Sequence, residues 1–163
     1  MQPKQMSVGF YMYEALKQAE MARRAGEIPV GAVLVYQNRI IAQTQNRCER
    51  DYDATAHAEM IALRQGGAEL KDWRLSECTL YVTLEPCFMC AGAIGTARLK
   101  RLVFGAFDAE FGGCGSAADI CGGMMAWKTA VIGGVLENEC ASMLRTYFEQ
   151  RRKEGRQIDK EAN

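Results

Sequence analysis

Histidine is nearly missing from this chain: there is one, His57, among 163 residues. Any imidazole-based centre must use that residue, which excludes all-histidine metal sites and histidine dyads. Net charge is missing as well, with 20 Lys and Arg against 20 Asp and Glu. Bulk charge therefore demands no polyanionic partner, although a local basic patch would suffice for one. No apolar run approaches the ~20 residues of a membrane span. The apolar stretch MSVGFYMY near the start is short, and Glu14 and Lys17 follow it without a small-residue cleavage site, unlike a secretory signal. Cysteine, by contrast, is plentiful and odd in number, at seven. Secreted disulfide frameworks usually show an even count in a shorter chain. A reducing cytoplasm is the expected compartment, and there closely spaced cysteines read as metal ligands before disulfides.

The length suits a single domain over residues 1–163. Residues 8–25 place Phe10, Tyr13, Ala15, Leu16, Ala19 and Met21 at roughly helical spacing, with Gly26 as a stop. PVGAVLVYQNRIIAQTQN reads as two strands, 30–36 and 39–44, around a turn at Gln37-Asn38. AHAEMIALRQGG is a helix with Asp53 or Thr55 as candidate N-caps and Gly66-Gly67 as its stop. CTLYVTL, 78–84, is a buried strand that passes through Pro86 into the small-residue helix CFMCAGAIGTAR. RLVFGA, 101–106, is a further strand. A glycine-rich run, GGCGSAADICGG, reads as a flexible loop, and a closing helix follows over roughly 137–153, with 154–163 as a loose tail. Strands alternating with helices argue for an α/β layer sandwich containing at least one parallel pair.

The chemistry concentrates in two short stretches. His57-Ala58-Glu59 holds the lone histidine, and Pro86-Cys87-Phe88-Met89-Cys90 holds a C-x2-C pair. Neutral imidazole and thiolate are preferred zinc ligands, and the C-x2-C spacing lets both sulfurs reach one ion. Three protein ligands leave a fourth position for water, which is the catalytic pattern rather than the closed structural one. If both motifs begin helices, the positive helix ends favour thiolate over thiol. Two thiolates cancel the charge of a zinc ion and weaken it as a Lewis acid, so a carboxylate that moves protons would help, and Glu59 is the candidate. Activated water beside a proton-carrying carboxylate suits attack on a carbon bearing an exocyclic amine. H-x-E followed by P-C-x-x-C is the signature of zinc nucleobase deaminases.

The chain resembles the bacterial tRNA adenosine deaminases from about Ile28 to Lys153, most specifically in IPVGAVLV, TAHAEMIALRQGG, TLYVTLEPC, MCAGAI and the VFGA run with Asp108. The resemblance implies a cytidine-deaminase-like three-layer α/β/α sandwich with a mixed central sheet of about five strands. It implies one zinc per chain on His57, Cys87 and Cys90, Glu59 as the proton shuttle, and Asn46 in contact with the target base. Asp108 and Phe148 are further candidates for substrate contact. It also implies a homodimer and a tRNA anticodon loop as substrate, with adenosine converted to inosine at the wobble position. Departures from the pattern fall at Ala54, at Phe107 and in CGGMMAWK, 121–128.

Other readings of these residues stand beside that one. The same mechanism serves a free nucleobase or nucleoside such as guanine, and a zinc-stabilised RNA-binding module would need the metal without Glu59. Asn46 also reads as a strand-ending turn residue. Cys114 and Cys121 fit no zinc template, and Cys48, Cys78 and Cys140 read as small apolar residues or spare thiols. Arg145, Arg151, Arg152 and Lys153 on the closing helix offer phosphate contacts.

Overall fold

The computed structural model of the chain describes residues 6–161. Its elements are α1 (Val8–Arg24), β1 (Gly31–Tyr36), β2 (Arg39–Gln45), a short α2 (Cys48–Asp51), α3 (Ala58–Leu70), β3 (Cys78–Leu84), α4 (Phe88–Thr96), β4 (Arg101–Ala106), a π-helical turn (Ile120–Met124), β5 (Ala130–Ile132) and α5 (Glu137–Glu161). The five strands form one sheet in the order β2-β1-β3-β4-β5. β1 pairs antiparallel with both β2 and β3, while β3–β4 and β4–β5 are parallel. The sheet is mixed, as expected.

Side-chain alternation splits the core into two layers of contact. Ala32, Leu34, Leu80, Val82, Leu102 and Phe104 face α3 and α4 through Ala58, Ala62, Ala91 and Ile94. Val33, Val35, Tyr81 and Val103 face the other way, toward Tyr11, Met12, Ala15 and Leu16 of α1 and Cys140 of α5. Helices thus cover both faces, which makes a three-layer α/β/α sandwich. The β1–β2 turn is tight because Gln37 and Asn38 both take left-handed conformations, with φ of 48° and 61°, the arrangement that matches strand twist in a two-residue hairpin.

Three sequence expectations need correction. Helix α3 does not stop at Gly66-Gly67 but runs on to Leu70, where Lys71 takes the left-handed cap position. Gly66 belongs inside the helix because a Cβ there would strike the Leu34 side chain of β1; close packing on the sheet outweighs its weak helix propensity. Neither Asp53 nor Thr55 caps that helix. Asp53 instead accepts from the Thr55 amide and hydroxyl, and His57 occupies the N-cap. The closing helix continues past residue 153 to Glu161, with Glu154 meeting Arg151 and Gln150 one turn back. Of the expected loose tail, 162–163 lie outside the described residues.

The tightest contact between layers is at Gly31, where a Cβ would meet the carbonyl of Ala15 and the amide of Ala19. Both are backbone atoms of α1, so the helix itself would have to move. Gly31→Ala is expected to cost about 1–3 kcal/mol. The cost should appear as a lower urea midpoint at an unchanged slope, and a midpoint equal to the parent's would overturn this account.

Candidate metal centre and catalytic cavity

Strand polarity brings four chain segments to one edge of the sheet. β3 and β4 end there at Leu84 and Ala106, β1 begins there at Gly31, and Gln45 at the end of β2 pairs with Gly31. The crevice beyond the carboxyl ends of parallel strands is the usual ligand position in open α/β sheets. A cavity of about 650 Å³ opens here. Asn46, His57, Glu59 and Cys87 line it together with the apolar Val30 and Leu84.

His57 is the N-cap residue of α3 and Cys87 that of α4, and neither side chain makes a capping hydrogen bond. Both are left to turn toward each other. The Nδ1 of His57 lies 3.6 Å from the Cys87 sulfur and 3.5 Å from the Cys90 sulfur. All three potential ligand atoms lie within 4.8 Å of one another. A tetrahedral zinc with Zn–S near ~2.3 Å and Zn–N near ~2.0 Å sets nitrogen and sulfur about 3.5 Å apart. The three residues fit the ion in chemistry and in spacing.

Charge is already arranged for a metal. The Cys87 thiol is pulled down to about 4, chiefly by the hydrogen bond it receives from Cys90 and also by His57, against the opposing effect of burial. Cys90 moves upward as the proton-holding partner of that pair. His57 is raised, first by its hydrogen bond to Cys87. Glu59, only 3% exposed, is raised to about 7 because burial disfavours its charged form. Its Oε2 is buried with no hydrogen-bond partner among the described residues. An orphaned carboxylate oxygen beside three converging ligands needs a chemical explanation, because buried polar groups are ordinarily satisfied.

Asn46 is buried and lines the same cavity. Its Oδ1 accepts from the Ala58 amide at 2.9 Å, supplying the cap that His57 does not. Its amide hydrogens make no hydrogen bond among the described residues, so toward a ligand Asn46 is a donor. Asp108 and Phe148 also line the cavity. One oxygen of Asp108 accepts from the amides of Glu110 and Phe111 at 3.1 and 3.0 Å, so Asp108 shapes its own loop. Arg145, Arg151, Arg152 and Lys153 lie exposed on α5.

Glu85 is the residue that sequence reasoning missed. It is 1% exposed and its two oxygens accept from the amides of Asp108, Cys114 and Ser116 at 3.0, 3.2 and 3.0 Å, and from the Ser116 hydroxyl. A carboxylate directly after a buried strand and before a proline was the available signal, because such a residue is almost never buried without partners. The glycine-rich run expected to be flexible is therefore wrapped around a buried acidic side chain. Gly112 is required, since a Cβ there would collide with the Glu85 carboxylate and the Asp108 carbonyl. Gly113 donates to Pro86 at 2.8 Å, tying the run to the metal loop. Cys114 and Cys121 are buried with their sulfurs 3.2 Å apart, and no histidine joins them.

Comparison with known proteins agrees with this geometry. Residues 7–106 match the family described as cytidine and deoxycytidylate deaminase zinc-binding region. The tRNA-specific adenosine deaminase of Bacillus subtilis (strain 168) is 44% identical over 88% of this chain and 89% of its own length. That of Haemophilus influenzae is 50% identical over 88% of this chain and 84% of its own. A solved structure from work on A-to-I editing by tRNA:A34 deaminases superposes with a TM-score of 0.79 at 40% identity, covering 83% of this chain and 99% of that one. A guanine deaminase from Nitrosomonas europaea reaches a TM-score of 0.77 at 26% identity, covering 86% and 84%.

The role of Glu85 can be checked directly. Glu85→Gln replaces an acceptor with an NH2 group that faces backbone donors, and leaving buried donors unpaired costs about 1–3 kcal/mol. Amide hydrogens of Cys114 and Ser116 should exchange about 5–150-fold faster, since 1.4 kcal/mol is a factor of ten. Unchanged exchange at both positions would remove Glu85 from this role.

Proposed function

This chain belongs to the cytidine and deoxycytidylate deaminase zinc-binding family, and on that premise we propose that it converts adenosine to inosine at the wobble position of tRNA. The observation that carries the chemistry is the partnerless Glu59 oxygen beside the His57, Cys87 and Cys90 cluster. The substrate follows from relatives at 40–50% identity over 88% of the chain that are named tRNA-specific adenosine deaminases. The guanine deaminase of Nitrosomonas europaea shares the fold at 26% identity, so a free base is the less supported substrate.

His57 through Nδ1 and Cys87 and Cys90 through their sulfurs would hold one zinc. When bound, zinc supplies Lewis acidity that makes a water nucleophilic near neutral pH. Glu59 takes a proton from the attacking water and delivers it to a ring nitrogen of the purine as the C–O bond forms, then carries the second proton from the new hydroxyl to the exocyclic amine, so that the C–N bond breaks and ammonia leaves. Its burial suits the task, because it works against the charged form and so favours uptake of the proton that Glu59 then returns. Asn46 donates through its free amide hydrogens to an acceptor on the purine and cannot move, since Ala58 holds its oxygen. Val30 and Leu84 exclude water from the base. The exposed cations of α5, Arg145, Arg151, Arg152 and Lys153, meet RNA phosphates outside the cavity. A tRNA substrate and seven cysteines without a disulfide among them support a cytoplasmic location, and no described helix is long and apolar enough to cross a membrane.

The purified protein should form inosine in an anticodon stem-loop. Cys87→Ala should lose zinc and activity together. Glu59→Ala should keep zinc and lose about 10²–10⁴ in kcat, the usual contribution of general acid–base catalysis. Rapid ammonia release from guanine without inosine formation in RNA would replace this reading with the free-base one. Zinc retained by Cys87→Ala would reject the ligand set.

The assembly proposed is a homodimer. Phe88 and Met89 stay 46% and 36% exposed at the start of α4, and a Cβ at Gly92 one turn on would meet open space. A helix surface of this kind suits a packed subunit contact. Sedimentation at micromolar concentration should give twice the monomer mass, and monomer alone would dispose of the assignment.

A further inference from the structure

The mouth of the cavity is aromatic and carries no side-chain cation other than the buried-site histidine. Phe107, Phe111 and Phe148 line it and remain 52%, 55% and 42% exposed. The ionisable groups that line it are His57, Glu59, Glu85, Cys87, Asp108 and Glu110, and no lysine or arginine among the described residues joins them. An RNA phosphate has no partner there, and Asp108 and Glu110 repel it. Yet three large rings left in water forgo the stabilisation that burial would bring.

Phe107 and Phe111 are carried by the loop after β4, and Phe148 by α5. Asp108 donates its amide to Glu85 at 3.0 Å and accepts the Phe111 amide at 3.0 Å, and Gly112 donates to the Asp108 carbonyl at 2.9 Å. Phe111 thus sits on backbone fixed to a buried carboxylate. Phe107 leans edge-on against Phe104 at 5.1 Å and 87°, and Phe148 against Tyr147 at 5.3 Å and 76°. Flat rings with their backbone already fixed give up little entropy on binding a second flat ring. Every nucleobase offers such a face whatever its identity.

We propose that Phe111, together with Phe107, is a stacking platform for a base adjacent to the target adenine. At its mouth the chain then grips RNA by base stacking rather than by phosphate pairing. This rests on the tRNA reading above. A base extruded into the cavity leaves its neighbours unstacked at the mouth, where they meet these rings.

The test compares kcat/KM on an anticodon stem-loop with kcat/KM on the same stem-loop carrying abasic nucleotides on both sides of the target. Phe111→Leu keeps an apolar side chain without a π face, and Phe111→Tyr keeps the face. Phe111→Leu is expected to lower kcat/KM on the intact stem-loop by about 5–150-fold, the range of one base–aromatic stack, and Phe111→Tyr to restore it. The abasic stem-loop should already be poorer for the parent enzyme, and Phe111→Leu should lower it no further. Parent-like activity of Phe111→Leu on the intact stem-loop would overturn the proposal. So would an equal loss on both stem-loops, or a loss that tracks dissociation of a dimer in sedimentation, which would make the ring a subunit contact. Should Phe111→Leu fail to fold, the parent on the two stem-loops decides, with equal rates counting against stacking. A parent enzyme that forms no inosine in the intact stem-loop removes the tRNA reading itself and this inference with it, an outcome distinct from the others.

Discussion

Two helices begin at the same edge of the sheet, and both give their first position to a potential metal ligand. A helix start leaves backbone amides without acceptors, and Ser, Thr, Asp or Asn at the N-cap ordinarily supplies one. Here His57 and Cys87 hold those positions and neither caps. For α3 the missing cap comes from Asn46, whose oxygen takes the Ala58 amide across from the end of β2. That bond ties strand, helix and the proposed base-contacting residue into one unit. The positive start of α4, which has no side-chain cap, is also where a thiolate is most easily kept, in keeping with the depressed Cys87 thiol. Much of the cavity depends on this exchange of a capping role for a ligating one.

Buried carboxylates around the cavity show how partners decide what an acid does. Glu27 is 3% exposed and accepts from the amides of Glu49 and Arg50, closing the start of α2. Glu85 is 1% exposed and accepts four hydrogen bonds from the loop after β4. Glu59 is as deeply buried, yet one of its oxygens has no partner. Burial of an unpaired charge is costly enough that the group moves its pKa instead, and Glu59 is raised. The first two brace backbone, while the third is left free to carry a proton. Residue type alone does not separate them.

That is also where sequence reading reached its limit. Strands β3 and β4 are legible at both ends, because CTLYVTL and RLVFGA are short apolar runs rich in β-formers between helical and turn-forming segments. A lone histidine and a C-x2-C pair are legible because few chemistries need those types at that spacing. Helix α3 was cut short at Gly66 because its glycine answers to Leu34 on the sheet, a contact that local propensity cannot contain. The glycine-rich run after β4 has no periodicity of its own. Its order comes from Glu85, which is 23 to 31 residues away along the chain from the groups it binds. Asn46 was half legible: a strand-ending polar residue was visible, but its acceptor being taken by Ala58, which leaves it a donor, was not.

Cavity size and rim chemistry together bear on what enters. A volume of about 650 Å³ falls within the range of small-molecule sites, roughly 300–1,000 Å³, so a folded RNA cannot enter and one nucleotide can. A free base would need the walls to close over it so that its whole surface is desolvated. Here the wall after β4 is fixed to a buried carboxylate through four hydrogen bonds, and the rings above it stand about half in solvent. A wall built this way does not fold inward without breaking four hydrogen bonds to a buried side chain and leaving their donors unpaired. An open mouth with exposed rings is instead completed from outside by the neighbours of an extruded base. The same carboxylate that orders the glycine-rich run thereby favours a polymeric substrate over a free base.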